Sequence, residues 1–164
     1  MKSNFVLVGL NENVTKQIAD AVASDLNMFF LDINDLIKYN FSDEEVISKV
    51  GMEYFDRQVK KLIASASEYE NTVINCPYDL FLQEENLQAL KNKAIVIFIN
   101  IDKNCLQIQN RDYVADKKLD IVLLAYEELS KNLEQEADIK IEYNGKDITQ
   151  IIKNISVKIK NFVG

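Results

Sequence analysis

The sequence predicts one α/β domain, a three-layer α/β/α sandwich around a single five-stranded parallel sheet. Three observations carry this reading. Five short runs rich in β-branched and aromatic residues alternate with segments of helical periodicity, the pattern of βαβ units. The strongest runs, Phe5-Val6-Leu7-Val8 and Ala94-Ile95-Val96-Ile97-Phe98-Ile99, are continuously apolar, as strands buried on both faces of a sheet are. No repeat, low-complexity tract or linker interrupts the 164 residues, a length suited to one core.

The elements follow in order. Asn4–Gly9 is the first strand and ends in glycine. Residues 14–26 carry Val14, Ile18, Ala21, Val22 and Leu26 at helical spacing, with Asn13 as the expected N-cap. Met28-Phe29-Phe30-Leu31 forms the second strand, ending at Asp32, which reads as the N-cap of a helix over 34–39. A longer helical pattern spans 43–68, with Val46, Val50, Phe55, Val59, Leu62 and Ile63. Thr72–Asn75 is the third strand and stops before Pro77, the only proline. A helix over 79–91 leads to the fourth strand, 94–99, and helices near 103–113 and 118–133 precede the fifth, 138–142. Asn144-Gly145 marks a turn, after which Ile148, Ile151, Ile152, Ile155, Val157 and Ile159 build a terminal helix.

Composition excludes several classes of function. A formal net charge of −7 opposes nucleic-acid phosphate, and the lysines are scattered. No run approaches the ~18 apolar residues of a membrane span, and the short Phe5–Val8 run lacks the form of a signal peptide, so a cytoplasmic protein is expected. Cys76 and Cys105 have neither disulfide density nor metal-ligand spacing and read as buried thiols. The chain has no histidine, the commonest general base and metal ligand. Only two arginines occur, Arg57 and Arg111, too few for a mechanism built on several guanidinium clamps.

A strand, a glycine and a helix form the setting of a phosphate-binding loop, whose spacing is G-x-x-x-x-G-K-[ST]. Here Gly9-Leu10-Asn11-Glu12-Asn13-Val14-Thr15-Lys16 keeps the first glycine only. Val14 replaces the second glycine, Thr15 the lysine and Lys16 the hydroxyl residue that binds Mg²⁺. A β-branched Val14 obstructs the approach of backbone N–H groups to phosphate. Thr15 brings no charge, Lys16 has no lone pair for a metal, and Glu12 adds a negative charge. At roughly 1.5–3 kcal/mol per charge-assisted hydrogen bond, three such losses remove several orders of magnitude in nucleotide affinity. The plain structural reading makes Gly9 a strand-to-helix turn. The rival has Lys16 reaching a phosphate from one residue further on, about 100° around the helix.

With these elements placed, the chain resembles shikimate kinase over nearly its whole length. The carrying segments are Phe5-Val6-Leu7-Val8-Gly9, the stretch Leu26 to Ile37 (similar to L-x-x-x-F-x-D-x-D-x-x-I) and Gly51-Met52-Glu53-Tyr54-Phe55-Asp56-Arg57 (similar to G-E-x-x-F-R). The resemblance implies a P-loop nucleoside-triphosphate-hydrolase-like fold with strand order 2-3-1-4-5. It also implies ATP and Mg²⁺ on the phosphate loop, shikimate beside it, a mobile lid and a place in aromatic amino-acid biosynthesis.

Carried over singly, the family's functional positions are mostly replaced. The first aspartate of the D-x-D pair is Asp32, while the second, which binds shikimate hydroxyls, is Asn34. The arginine for the shikimate carboxylate falls on Asp56, and the glutamate three residues later on Val59. The glycine triplet after the third strand is Asn75-Cys76-Pro77, and no Arg-Pro lid pair exists. Arg111 lies near the adenine-facing arginine, and the late arginine of the lid-following helix falls near Leu129.

The expectation is therefore a shikimate-kinase-like chain that has lost ATP binding and shikimate phosphorylation and persists as a binding or interaction module. No cofactor or metal is expected, and a protein partner or an altered small ligand is. The alternative is a weakly active small-molecule kinase using ATP and Mg²⁺ on a rearranged loop. Asp32 is at most a vestige of the site, and Asp32, Asn34 and Asp56 form either a cation-attracting cluster or a solvated acidic rim.

Overall fold

The computed structural model describes residues 2–41, 51–107 and 120–163. Its strands are β1 (Asn4–Gly9), β2 (Phe29–Asp32), β3 (Thr72–Asn75), β4 (Ala94–Ile101) and β5 (Ile139–Tyr143). Its helices are α1 (Glu12–Asp25), α2 (Ile33–Asn40), α3 (Met52–Ser67), α4 (Tyr78–Phe81), α5 (Glu84–Lys93), α6 (Lys103–Gln107), α7 (Tyr126–Glu136) and α8 (Ile148–Val163). The strands form one parallel sheet in the order β2-β3-β1-β4-β5, the order the family resemblance implies.

The apolar patterns explain this order. Every residue of β1 and β3 is buried, as the inner strands of a sheet covered on both faces must be. The edge strand β5 alternates instead, burying Ile141 while Lys140 and Glu142 face solvent. Asn4 holds the starts of β1 and β3 together, since its Oδ1 accepts from the Thr72 amide at 3.1 Å. On α1, residues 15, 18, 19, 22 and 23 are buried, a stripe at helical spacing. The small side chains of Ala19 and Ala23 allow the helix to lie close to the sheet, and α8 packs beside it. The α1–β2 and α3–β3 turns use Asn27 and Asn71 in the left-handed region, both at φ 55°, which asparagine tolerates better than most residues.

Several boundaries correct the sequence reading. Helix α1 starts at Glu12, with Asn11 rather than Asn13 as N-cap. The helix expected over 79–91 is two helices, α4 and α5, separated at Leu82-Gln83. The one expected over 118–133 bends at Ala125 (φ −105°, ψ 11°), between a helical turn at 120–124 and α7. Strand β4 runs two residues further, to Ile101. Parts of the helices expected over 43–68 and 103–113, and Arg111 with them, lie outside the described residues. Cys76 is buried as expected, whereas Cys105 is only half-buried; both are free thiols. The turn at Asn144-Gly145 is present, with Gly145 at φ 84°.

Candidate functional site

The carboxyl edge of a parallel sheet is where open α/β folds receive ligands. At that edge the connection between β1 and α1 is only Leu10 and Asn11. The Asn11 side chain accepts from the Val14 amide at 3.2 Å. Its carbonyl accepts from the Thr15 amide at 3.0 Å and from Thr15 Oγ1 at 2.8 Å. Residues 12–16, which would arch around a phosphate, are thus already wound into the first turns of a helix. Val14 is half-buried and packs against the core, and Thr15 is buried.

Gly9 has a packing reason for its identity. A Cβ there would lie 2.8 Å from the Ile99 carbonyl oxygen and 2.8 Å from Thr15 Oγ1, both too close for real atoms. This supports the strand-to-helix reading of that glycine.

Beside the loop lies a polar network, in which Asn75 Oδ1 is buried without a partner among the described residues. Asp32, at the end of β2, caps α2 by accepting from the Asp35 amide through Oδ2 at 3.0 Å. Its Oδ1 accepts from Asn75 Nδ2 at 2.7 Å, a contact that follows from the Asp32–Asn75 register of β2 and β3. Lys16 Nζ lies 2.9 Å from Asp35 Oδ2 and 3.6 Å from Asp32 Oδ2. The hydrogen bond to Asp35 is the main reason the Lys16 pKa is raised, with the charge of Asp32 adding to it. Asn34 Nδ2 donates to Glu12 Oε2 at 3.2 Å.

The potential here is negative. Burial pushes the Cys76 thiol well above its ordinary value, and the charges of Asp79, Glu12 and Asp32 push it further. Burial and the carboxylates of Asp79 and Glu12 likewise raise the Tyr78 phenol. Among the described residues, no group of three or more acidic or cysteine side chains is arranged to hold a metal ion.

The structure unites only part of the predicted set. Lys16, Asp32, Asn34 and Asn75 fall in or beside one network, and Cys76 lies buried next to it. Asp56 does not join: it is exposed on α3, with no hydrogen bond or ion pair to the network, as is its neighbour Arg57. Val59 is buried in the core and Leu129 packs against it. Sequence reasoning missed Asp35 as the main partner of Lys16. It also missed an open cavity of about 610 Å³ at the ends of β4 and β5, lined by Asn100, Asp102, Lys103, Tyr126, Glu142 and Gln150 among others. The Asn100–Glu142 register across β4 and β5 would have signalled part of it.

This sheet order, with a strand-to-helix turn at its carboxyl edge, is the architecture of the P-loop small-molecule kinases. The chain belongs to the shikimate kinase family, whose model matches residues 16–160. The match begins at Lys16 and leaves Gly9–Thr15 outside it. Shikimate kinase of Sulfurihydrogenibium sp. is 26% identical over 164 residues, covering 96% of this chain and 98% of that protein. Among solved structures, shikimate kinase from Aquifex aeolicus aligns with a TM-score of 0.77 at 22% identity, covering 98% of each chain. Shikimate kinase from Acinetobacter baumannii in complex with shikimate aligns at 0.77 and 20% identity, over 98% of this chain and 95% of that one. Dephospho-CoA kinase from Campylobacter jejuni aligns at 0.64 and 15%, over the whole of both. At these identities the structural matches speak for the fold.

Proposed function

We propose that this chain is a shikimate kinase family member that no longer binds ATP or phosphorylates shikimate and acts as a binding or interaction module. The observation that carries the reading is the two-residue connection after β1. There the Asn11 side chain accepts from the Val14 amide and its carbonyl from the Thr15 amide and hydroxyl, so the chain enters the helix at once and no loop is left to arch around a phosphate. ATP with Mg²⁺ does not fit the residues that replace the motif. Val14 fills the glycine position, Thr15 turns its hydroxyl to the backbone, and Lys16 is held by two carboxylates. Substrate-side replacements point the same way: Asp56 is an exposed carboxylate where the family has an arginine, and Pro77 contributes no N–H beside Cys76. What the cleft retains is a buried acid with its amide partner, together with the cavity at the ends of β4 and β5. Both suit a small polar ligand or a protein partner better than a triphosphate. With a net charge of −7, nucleic acid is not the expected partner.

Family membership over most of the chain favours one other reading, a weak small-molecule kinase that uses Lys16 on a loop that rearranges. A coupled ADP-release assay with shikimate, ATP and Mg²⁺ separates the two. The expected result is no turnover above the uncatalysed rate. Sustained ADP release that disappears in Lys16→Ala would overturn the proposal.

A further inference from the structure

We infer that Lys16 is a tethered cation: its ammonium occupies the position to which the loop motif would bring a divalent metal ion, and it keeps such an ion out. The inference deepens the reading above and rests on it. The motif's last position supplies the hydroxyl that ligates Mg²⁺, and here that position is Lys16. Its Nζ lies against two carboxylate oxygens that converge from the end of β2 and the first turn of α2, Asp32 Oδ2 at 3.6 Å and Asp35 Oδ2 at 2.9 Å.

The Asp32 side chain is only 2% exposed, and a buried carboxylate without a counter-charge is strongly destabilising. Among the described residues Lys16 provides the one ammonium within 4 Å of it. Each Asp32 oxygen accepts one hydrogen bond, Oδ1 from Asn75 Nδ2 and Oδ2 from the Asp35 amide, and Oδ2 is the one that faces Lys16. An ammonium gives one positive charge and three donors but no ligand atom, and it repels a second cation at that range. The buried Asp32 carboxylate thus has its counter-charge from within the chain, and ligand binding in this cleft is metal-independent.

Mn²⁺ is the probe, followed by the electron paramagnetic resonance signal of the free ion, with the full chain and no nucleotide. Wild type is expected to leave the signal undiminished. Lys16→Ser restores a hydroxyl and removes the ammonium from Oδ2 of both aspartates, and it is expected to bind Mn²⁺ at least about tenfold more tightly than wild type. Adding Asp32→Asn to that variant should remove the gain, and Lys16→Arg, which keeps the charge, should behave as wild type. Mn²⁺ bound by wild type as tightly as by Lys16→Ser would overturn the inference, as would a Lys16→Ser protein no better than wild type. Should Lys16→Ser fail to fold by circular dichroism, Lys16→Gln carries the same comparison. Because nucleotide is absent, failure here leaves the functional proposal standing. ATP binding by wild type in a chelator would instead contradict that proposal and leave the tethered cation intact.

Discussion

Cys76 shows how single side chains report the character of the cleft. It stands at the end of β3, and burial among carboxylates holds its thiol protonated well past the ordinary value of 9.0. The unfolded thiol ionises near that ordinary value, so above it the unfolded state releases a proton that the native state keeps. Stability must then fall as pH rises through the region just above 9, by at most about 1.4 kcal/mol per pH unit for one group. Urea unfolding between pH 8.5 and 10 should show this slope, and Cys76→Ala should flatten it. The raised Lys16 pKa acts in the same direction only at higher pH, above its ordinary 10.5. Gly9 makes the opposite point. Its lack of a side chain is explained by the Ile99 carbonyl and the Thr15 hydroxyl, without any ligand.

Among the elements, α1 decides the reading, because where it starts fixes how much chain is left to surround an anion. Asn11 caps it by accepting from the Val14 amide. Replacing Asn11 by alanine should therefore cost about 1 kcal/mol, with a range of roughly 0.5–2, in chemical denaturation. Asn13→Ala, an exposed change within the helix, should be close to neutral by the same measurement. This boundary was not legible in the sequence, since Asn11 and Asn13 are both good caps two residues apart. Asp32 was legible, because a single acid stands between an apolar strand and a helical pattern. The break between α4 and α5 falls at Leu82-Gln83, where neither glycine nor proline announces it; Asn86 Nδ2 donates to the Leu80 carbonyl at 3.0 Å across the junction.

At the scale of the molecule, the sheet was readable because its inner strands are apolar on both faces, a pattern few other structures require. Strand order came from the family resemblance, since alternation of strands and helices alone fits several orders. The site was harder to read because its contacts join residues far apart in sequence. Lys16 meets Asp35 across 19 positions and Asn75 meets Asp32 across 43. Residue types told what the loop lacks, whereas the network that took its place depends on the register of β2 against β3 and on the first turn of α2. The fold has the kinase architecture, while its carboxyl edge carries a polar network of negative potential.

Isothermal titration of the wild-type chain with ATP in the presence of Mg²⁺ tests this most directly. No binding heat is expected up to millimolar nucleotide, with ADP giving the same result. A saturable micromolar isotherm that depends on Mg²⁺ would contradict it, because it would require the turn capped by Asn11 to open and Lys16 to leave Asp32 and Asp35.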